Sequence, residues 1–212
     1  MKSLLLIGGG GHCRSCIDVI EAEGKYQIAG IVNQSKGSRE QILGYDILGD
    51  DEDLPDLLKK HPNALITVGQ IKIFDLRLKL FEQVKRLGFV LPTIISPRAY
   101  VSKNACMGFG TIVMHDALVN TEARIGNNCI LNTKSLVEHD AIVEDHCHIS
   151  TSSVVNGGTI IGEKTFIGSN TITKEYITVG KTSVIGGGLR VVSDVQENTL
   201  MKNNEHIILE KG

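Results

Sequence analysis

Excess charge is the first thing this chain lacks. Its 22 basic and 24 acidic side chains leave a formal net charge of −2 over 212 residues. No basic surplus exists to draw a polyanion, so neither nucleic acid nor an acidic membrane surface is expected as a partner. No apolar run reaches membrane-spanning length. Lys2 to Ile7 is too short for a signal-peptide core and runs directly into glycines, which implies a cytoplasmic protein. Tryptophan is absent, and there is no low-complexity segment or long linker. Cysteine is sparse and odd in number: Cys13, Cys16, Cys106, Cys129 and Cys147. That count argues for reduced thiols rather than a disulfide framework. Cys13 and Cys16 form a CxxC on one face of an expected helix without a second pair, so no metal or redox site is expected there.

What is present instead is a period of six. From Ile95 to Gln196 the first residue of each hexad is aliphatic, as in Val113, Val119, Ile125, Leu131, Val137, Val143, Ile149, Val155, Ile161 and Ile167; Thr173 alone breaks the column. The fifth place is small, as in Ala117, Ala123, Cys129, Ser135, Ala141, Cys147, Ser153 and Thr159. The second is often Gly or Asn. Neither the 3.6 nor the 2 template fits, and hexapeptide self-similarity marks a parallel β-helix. The aliphatic residue fills the interior and the small one lets the chain bend. Gly or Asn is expected to accept positive φ at the corner. Three hexads close a triangular coil, so residues eighteen apart stack. Cys129 and Cys147 are such a pair, which explains them as packing residues.

The first 94 residues read differently. Strand patterns at 3–7, 28–32 and 64–68 alternate with expected helices, including Asp51 to Lys60, capped by Asp50 or Asp51, and Lys72 to Leu87. The latter places Ile73, Leu76, Leu80, Val84 and Leu87 inward. This order gives a small parallel Rossmann-like sheet. Three regions follow: a Rossmann-like domain over 1–94, the β-helix over 95–197, and a tail over 198–212 expected to dock as a short strand or helix. The turn after the first strand, Gly8-Gly9-Gly10-Gly11-His12, exposes backbone N–H groups at a helix N-terminus, suited to an anionic group. The dinucleotide fingerprint is incomplete, because Cys13 or Arg14 stands where the third glycine belongs. The second strand ends at Val32-Asn33 with no acid for a ribose diol, so a nucleotide sugar or sugar is favoured over NAD.

One stretch of the repeat is chemically loaded: Asn132-Thr133-Lys134-Ser135-Leu136-Val137-Glu138-His139-Asp140. His139 stands at the outward third place, beside a carboxylate that can hold its tautomer. Eighteen residues on is Gly157, whose N–H is a plausible donor to a developing oxyanion. His148 lies on another side of the coil, either lining a neighbouring subunit's cleft or standing in solvent.

The segments IGGGGH (7–12), ILGDD (47–51), VGQ (68–70), LNTKSLVEHD (131–140) and HISTSSVVNGG (148–158) resemble the sialic acid O-acetyltransferase (NeuD) and bacillosamine N-acetyltransferase (PglD) family over nearly the whole chain. The resemblance implies that the β-helix is left-handed, against the usual right-handed crossover. It also implies a homotrimer, with acetyl-CoA bound in the groove between two subunits. By position it implies His139 as general base, Asp140 orienting it, Asn132 positioning the acceptor or the acetyl group, and the Gly157 N–H facing the thioester oxygen. His148, Ser150, Ser169 and Gly187 fall at CoA contacts. Gly9, Gly10, Gly11 and His12 fall in the sugar-binding loop, with Asn33 beside it. The implied reaction is acetyl transfer to a hydroxyl or amine of a sugar used in bacterial surface glycans, with a lean toward a sialic-type sugar. The alternative is N-acetylation of a UDP- or GDP-linked amino sugar. Two departures stand out. The family's G-x-P-A-K loop is replaced by Leu200-Met201-Lys202-Asn203-Asn204, and the Asp common among UDP-sugar users is replaced in Asn33-Gln34-Ser35. Two other classes compete. One is a metal-dependent enzyme of carbonic-anhydrase type using His115, His139, His146 or His148; the other is a non-catalytic nucleotide-sugar binder.

Overall fold

The computed structural model describes residues 1–34, 41–70, 75–202 and 205–208, the last in backbone only. The chain divides into two units, Met1–Ile95 and Ser96–Gly212.

The first unit runs β1 (Lys2–Ile7), α1 (Gly11–Glu23), β2 (Tyr26–Val32), β3 (Gln41–Ile42), β4 (Tyr45–Gly49), α2 (Leu54–Lys60), β5 (Asn63–Ile66), α3 (Asp75–Leu87) and β6 (Ile94–Ile95). Its sheet has the order β3-β4-β2-β1-β5, parallel except for the β3–β4 hairpin. Strand order reverses at β1, so the crevice beyond its carboxyl end is a topological switch point. The core beneath is built from Leu5, Ile7, Val32, Leu54, Ile66, Leu80, Phe81 and Val84.

Two helix expectations need correction. Leu76 is 48 % exposed rather than inward. The buried face is Arg77, Leu80, Phe81 and Val84, and it is set by Arg77, whose Nη1 donates to the carbonyls of Ile66 and Val68 at 2.7 Å each. Ile73 and the expected first turn from Lys72 lie outside the described residues. The residue before α2 is Asp53, not Asp50 or Asp51. A turn comes first, with Asp50 Oδ1 accepting from Glu52 N–H and Asp53 Oδ2 accepting from Asp50 N–H. Pro55 then opens the helix without needing an acceptor.

The second unit is a three-sided prism of two-residue strands, one per hexad. The first face stacks Tyr100–Val101, Leu118–Val119, Leu136–Val137, Val154–Val155, Ile172–Thr173 and Arg190–Val191. The second stacks Cys106–Met107, Arg124–Ile125, Ile142–Val143, Ile160–Ile161 and Thr178–Val179. The third stacks Ile112–Val113, Ile130–Leu131, His148–Ile149, Phe166–Ile167 and Val184–Ile185, and then Thr199–Lys202. Along each face partners are parallel and eighteen apart, as in Leu136↔Val154 and Ile130↔His148, except at the last step of the third face, Val184↔Leu200, where they are sixteen apart. The tail ends the prism with Thr199–Lys202 on the third face and Glu205–Ile208 antiparallel to it.

The corners differ from the expected chemistry. Positive φ falls at the fourth place of the hexad, not the second: Asn128 (54°), Lys134 (60°), Asp140 (59°), His146 (61°), Ser152 (58°) and Tyr176 (54°). These residues accept the strained conformation because their N–H groups continue the stacking. Asn128 N–H donates to Phe109 O, Asp140 to Thr121 O and Gly158 to His139 O. Glycine occupies the second place for a different reason, namely close approach of the next coil. A Cβ at Gly126 would come 2.6 Å from Asp145 N, and one at Gly162 2.5 Å from Lys181 N. Several fifth-place hydroxyls and thiols point inward and donate to a carbonyl one coil on. Thr111 Oγ1 reaches Gly126 O at 2.8 Å, Ser153 Oγ reaches Gly168 O at 2.7 Å, and Cys147 Sγ reaches Gly162 O at 3.1 Å.

Candidate active site

His139 stands on the edge that follows the first face, exposed to solvent. Side chains of successive residues in an extended strand point apart. The left-handed turn at Asp140 instead brings its carboxylate back to the neighbouring ring, with His139 Nδ1–H donating to Asp140 Oδ2 at 2.8 Å. A carboxylate only accepts, so Nδ1 carries the proton, and in the neutral ring the lone pair is on Nε2. Behind the ring, Glu138 Oε2 accepts from Asn120 Nδ2 at 2.7 Å and from His139 N–H at 3.3 Å. Asn120 escaped the sequence reading, although its distance of eighteen from Glu138 is the stacking period.

Gly157 lies directly under the imidazole, and among the described residues its N–H has no acceptor. Thr173, the polar interruption of the aliphatic column, is buried one coil further on. Its Oγ1 accepts from Asn156 N–H at 3.0 Å and its carbonyl accepts from Asn156 Nδ2 at 2.7 Å, tying down the residue before Gly157. The break in the column is therefore a support for this corner.

Asn132 does not join this group. It stands on the edge before the first face, and Nδ2 donates to His148 Nε2 at 3.2 Å while Oδ1 accepts from Thr133 N–H at 2.8 Å. His148 is not a solvent residue either; it is buried, with its ring edge-on to Phe166 at 5.2 Å. Ser150 follows on the same edge, its Oγ 2.9 Å from that of Ser169. Ser169 in turn lies under Gly187, where a Cβ would sit 3.1 Å from Ser169 O. Residues 132, 148, 150, 169 and 187 thus gather on one edge of the prism, and 138, 139, 140 and 157 on the next. One face separates them, roughly 20 Å of extended chain.

In the first unit, the glycine loop closes the carboxyl end of β1. Gly8 is required by the fold: φ is 108° and a Cβ would collide with Val68. Gly9 packs against Ile42 and donates its N–H to Asn33 Oδ1 at 3.2 Å. Gly10 and Gly11 are different. Neither has positive φ, and a Cβ on either would meet nothing within 4 Å. They open α1 without a side-chain cap, and His12 follows in its first turn. The loop borders a crevice lined by Ile7, Gly8, Val32, Asn33, Gln34, Asp51, Val68, Leu76 and Leu80.

Other candidate chemistry is occupied. His115 Nδ1 pairs with Ser96 Oγ at 2.6 Å, and His146 Nδ1 with Asn128 Nδ2 at 3.0 Å. Among the described residues no three of His, Cys, Asp and Glu are grouped to hold a metal ion. Burial pushes the thiols of Cys13, Cys16 and Cys147 above their ordinary range. No helix is long and apolar enough to cross a membrane among those residues.

Comparison with known proteins adds the family. The model of the PglD N-terminal domain matches residues 3–84. No curated protein sequence matches. A perosamine N-acetyltransferase from Caulobacter crescentus, solved with CoA and GDP-perosamine, is 30 % identical, with 100 % of this chain and 98 % of that one covered and a TM-score of 0.90. The acetyltransferase domain of PglB from Neisseria gonorrhoeae, solved with acetyl coenzyme A, is 29 % identical, with 98 % and 99 % covered and a TM-score of 0.89. The hexad prism is accordingly a left-handed β-helix. Two edges of placed polar groups, an uncapped glycine loop and full-length likeness at this identity lead to one assignment: the chain belongs to the PglD/NeuD family of sugar acetyltransferases.

Proposed function

We propose that the protein transfers the acetyl group of acetyl-CoA to the amino group of a nucleotide-linked amino sugar. The observation that carries this is the pairing of His139 with Asp140 above Gly157. Nε2 takes a proton from the amine as its nitrogen attacks the thioester carbonyl. The Gly157 N–H receives the oxyanion. Collapse expels the CoA thiolate, which regains a proton from His139, so an amide and a free thiol leave with no covalent enzyme intermediate. Gly10, Gly11 and the N-terminus of α1 hold the diphosphate, and Gly9, His12 and Asn33 shape the acceptor site around it.

Asn132, His148, Ser150, Ser169 and Gly187 form the donor's edge. That edge meets His139 only if a second copy supplies it. The first face lies between the two edges and carries an outward stripe of Tyr100, Leu118, Leu136, Val154 and Ile172, with Tyr100 58 % and Ile172 39 % exposed. Three copies packed through this face would set each His139 edge against a neighbour's Asn132 edge, which supports a homotrimer. Light scattering tests it, and a monomer would remove the shared site.

The neighbours' CoA and GDP-perosamine favour a nucleotide-linked amino sugar over the sialic-type acceptor. A thiol-release assay with acetyl-CoA against UDP- and GDP-linked amino sugars, sialic acids and CMP-sialic acids tests the reading. Release is expected only with a nucleotide-linked amino sugar. Release with sialic acids alone would overturn it.

A further inference from the structure

One coil beyond Gly157, on the His139 edge, stands Tyr176. Its φ is 54°, and its N–H donates to Gly157 O at 3.0 Å. Its ring lies over Gly158, where a Cβ would collide with Cδ1 and Cε1. Gly157 and Gly158 therefore give two adjoining seats, one under the His139 ring and one under the Tyr176 ring. A bulky side chain in left-handed backbone costs about 1 kcal/mol. The fold does not ask for it, since Asn128 and Asn170 fill the same place in other coils. The residue is nevertheless 75 % exposed. It borders a surface groove with Ile177 and Val192, rimmed by Lys174, Ser193 and Asp194, and Val192 is itself 60 % exposed.

We propose that Tyr176 positions the acyl donor: its ring is the wall along which the pantetheine arm runs as it leaves the thioester. The inference rests on the acetyl-transfer reading above. With the carbonyl oxygen at the Gly157 N–H and the attacking amine at Nε2, the sulfur must leave along the edge, away from both. In the coil before His139 that edge is polar and internally satisfied, since Asn120 bonds Glu138 and the Thr121 N–H. In the coil after Gly157 it offers an aromatic face and Val192. Coils are spaced about 4.8 Å apart, so the first atoms of the arm reach Tyr176. Its alkyl and amide segments suit a ring with a hydroxyl at its tip.

The test is CoA binding by calorimetry, together with steady-state kinetics, for the wild type, Tyr176→Asn and Tyr176→Phe. Asparagine keeps the left-handed corner, and matching melting temperatures would show that the fold is intact. Tyr176→Asn is expected to weaken CoA binding and raise KM for acetyl-CoA by about fivefold to tenfold, with kcat and the acceptor KM within about twofold. Tyr176→Phe is expected to retain most of the affinity. Equal CoA binding by the wild type and Tyr176→Asn would overturn the role of Tyr176 alone, as would a change confined to the acceptor KM. A wild-type protein that binds no CoA would overturn the acetyl-transfer reading as well.

Discussion

His139 rests on Gly157: a Cβ at position 157 would fall 2.8 Å from both Cε1 and Nε2 of the imidazole. The lone-pair nitrogen thus lies against the backbone of the next coil, where the Gly157 N–H has no acceptor among the described residues. Gly157 does not have positive φ, so alanine fits its backbone and conflicts only with the ring. Gly157→Ala is expected to swing His139 toward solvent and slow acetyl transfer by about a hundredfold or more. Circular dichroism and melting temperature should stay near wild type. A Gly157→Ala enzyme with the wild-type rate would show that the ring's seat is irrelevant.

On the proposed mechanism Asp140 acts through its neighbour, His139, to which it is bonded at 2.8 Å. Asp140→Asn keeps a polar group that is at home in left-handed backbone but removes an acceptor-only partner, so the imidazole can adopt the tautomer with Nε2 protonated. Because the pair is exposed, the expected loss in kcat is moderate, about tenfold to a hundredfold, with KM for acetyl-CoA unchanged. Steady-state kinetics of Asp140→Asn and Asp140→Glu would check it. Partial recovery by the glutamate variant distinguishes orientation of His139 from a general loss of structure.

Within the glycine loop, fold and function separate by position. Gly8→Ala must place a side chain at φ 108° against Val68, and should cost about 2 kcal/mol or more of stability. Gly10→Ala and Gly11→Ala enter open space and should leave stability equal or slightly raised. Both should nevertheless raise the KM of the nucleotide sugar several-fold, because a methyl there intrudes into the proposed diphosphate site. Denaturant melts and acceptor KM values, measured side by side, test the division.

The prism was legible because its period is enforced by packing: one interior residue per side, one small residue per corner, repeated without slip. The corner's dihedral was not legible, because the fourth place accepts Asp, Lys, His, Ser, Asn and Tyr alike. Backbone stacking, not residue type, sustains positive φ there. The second-place glycines were visible, but their reason is contact with the next coil, which no single hexad contains. The stacking of His139 on Gly157 could be read from the spacing of eighteen, and the carboxylate partner from its place next in the chain. The grouping of Asn132 with His148 on a different edge could not, because it depends on where a face ends. Leu76 was misplaced because periodicity counts apolar residues, whereas α3 is oriented by the buried Arg77.

The thiols offer a check on the prism's interior. Cys13, Cys16, Cys129 and Cys147 are buried and Cys106 is exposed. Burial raises the pKa of Cys16 and of Cys147, so moving from pH 7 to pH 9 creates little thiolate at either. A native-state titration with a disulfide reagent should count one reactive thiol across that range and all five in denaturant. Fast reaction of a second thiol in the native protein would mean that one of these sites opens.

The most direct measurement is the single-turnover rate of His139→Ala with acetyl-CoA and a responsive nucleotide-linked amino sugar. If His139 is the base, the rate falls by about a hundredfold or more while the affinity for CoA stays within about twofold. An unchanged rate at saturating substrates would contradict the account, because the imidazole would then have no part in moving the proton.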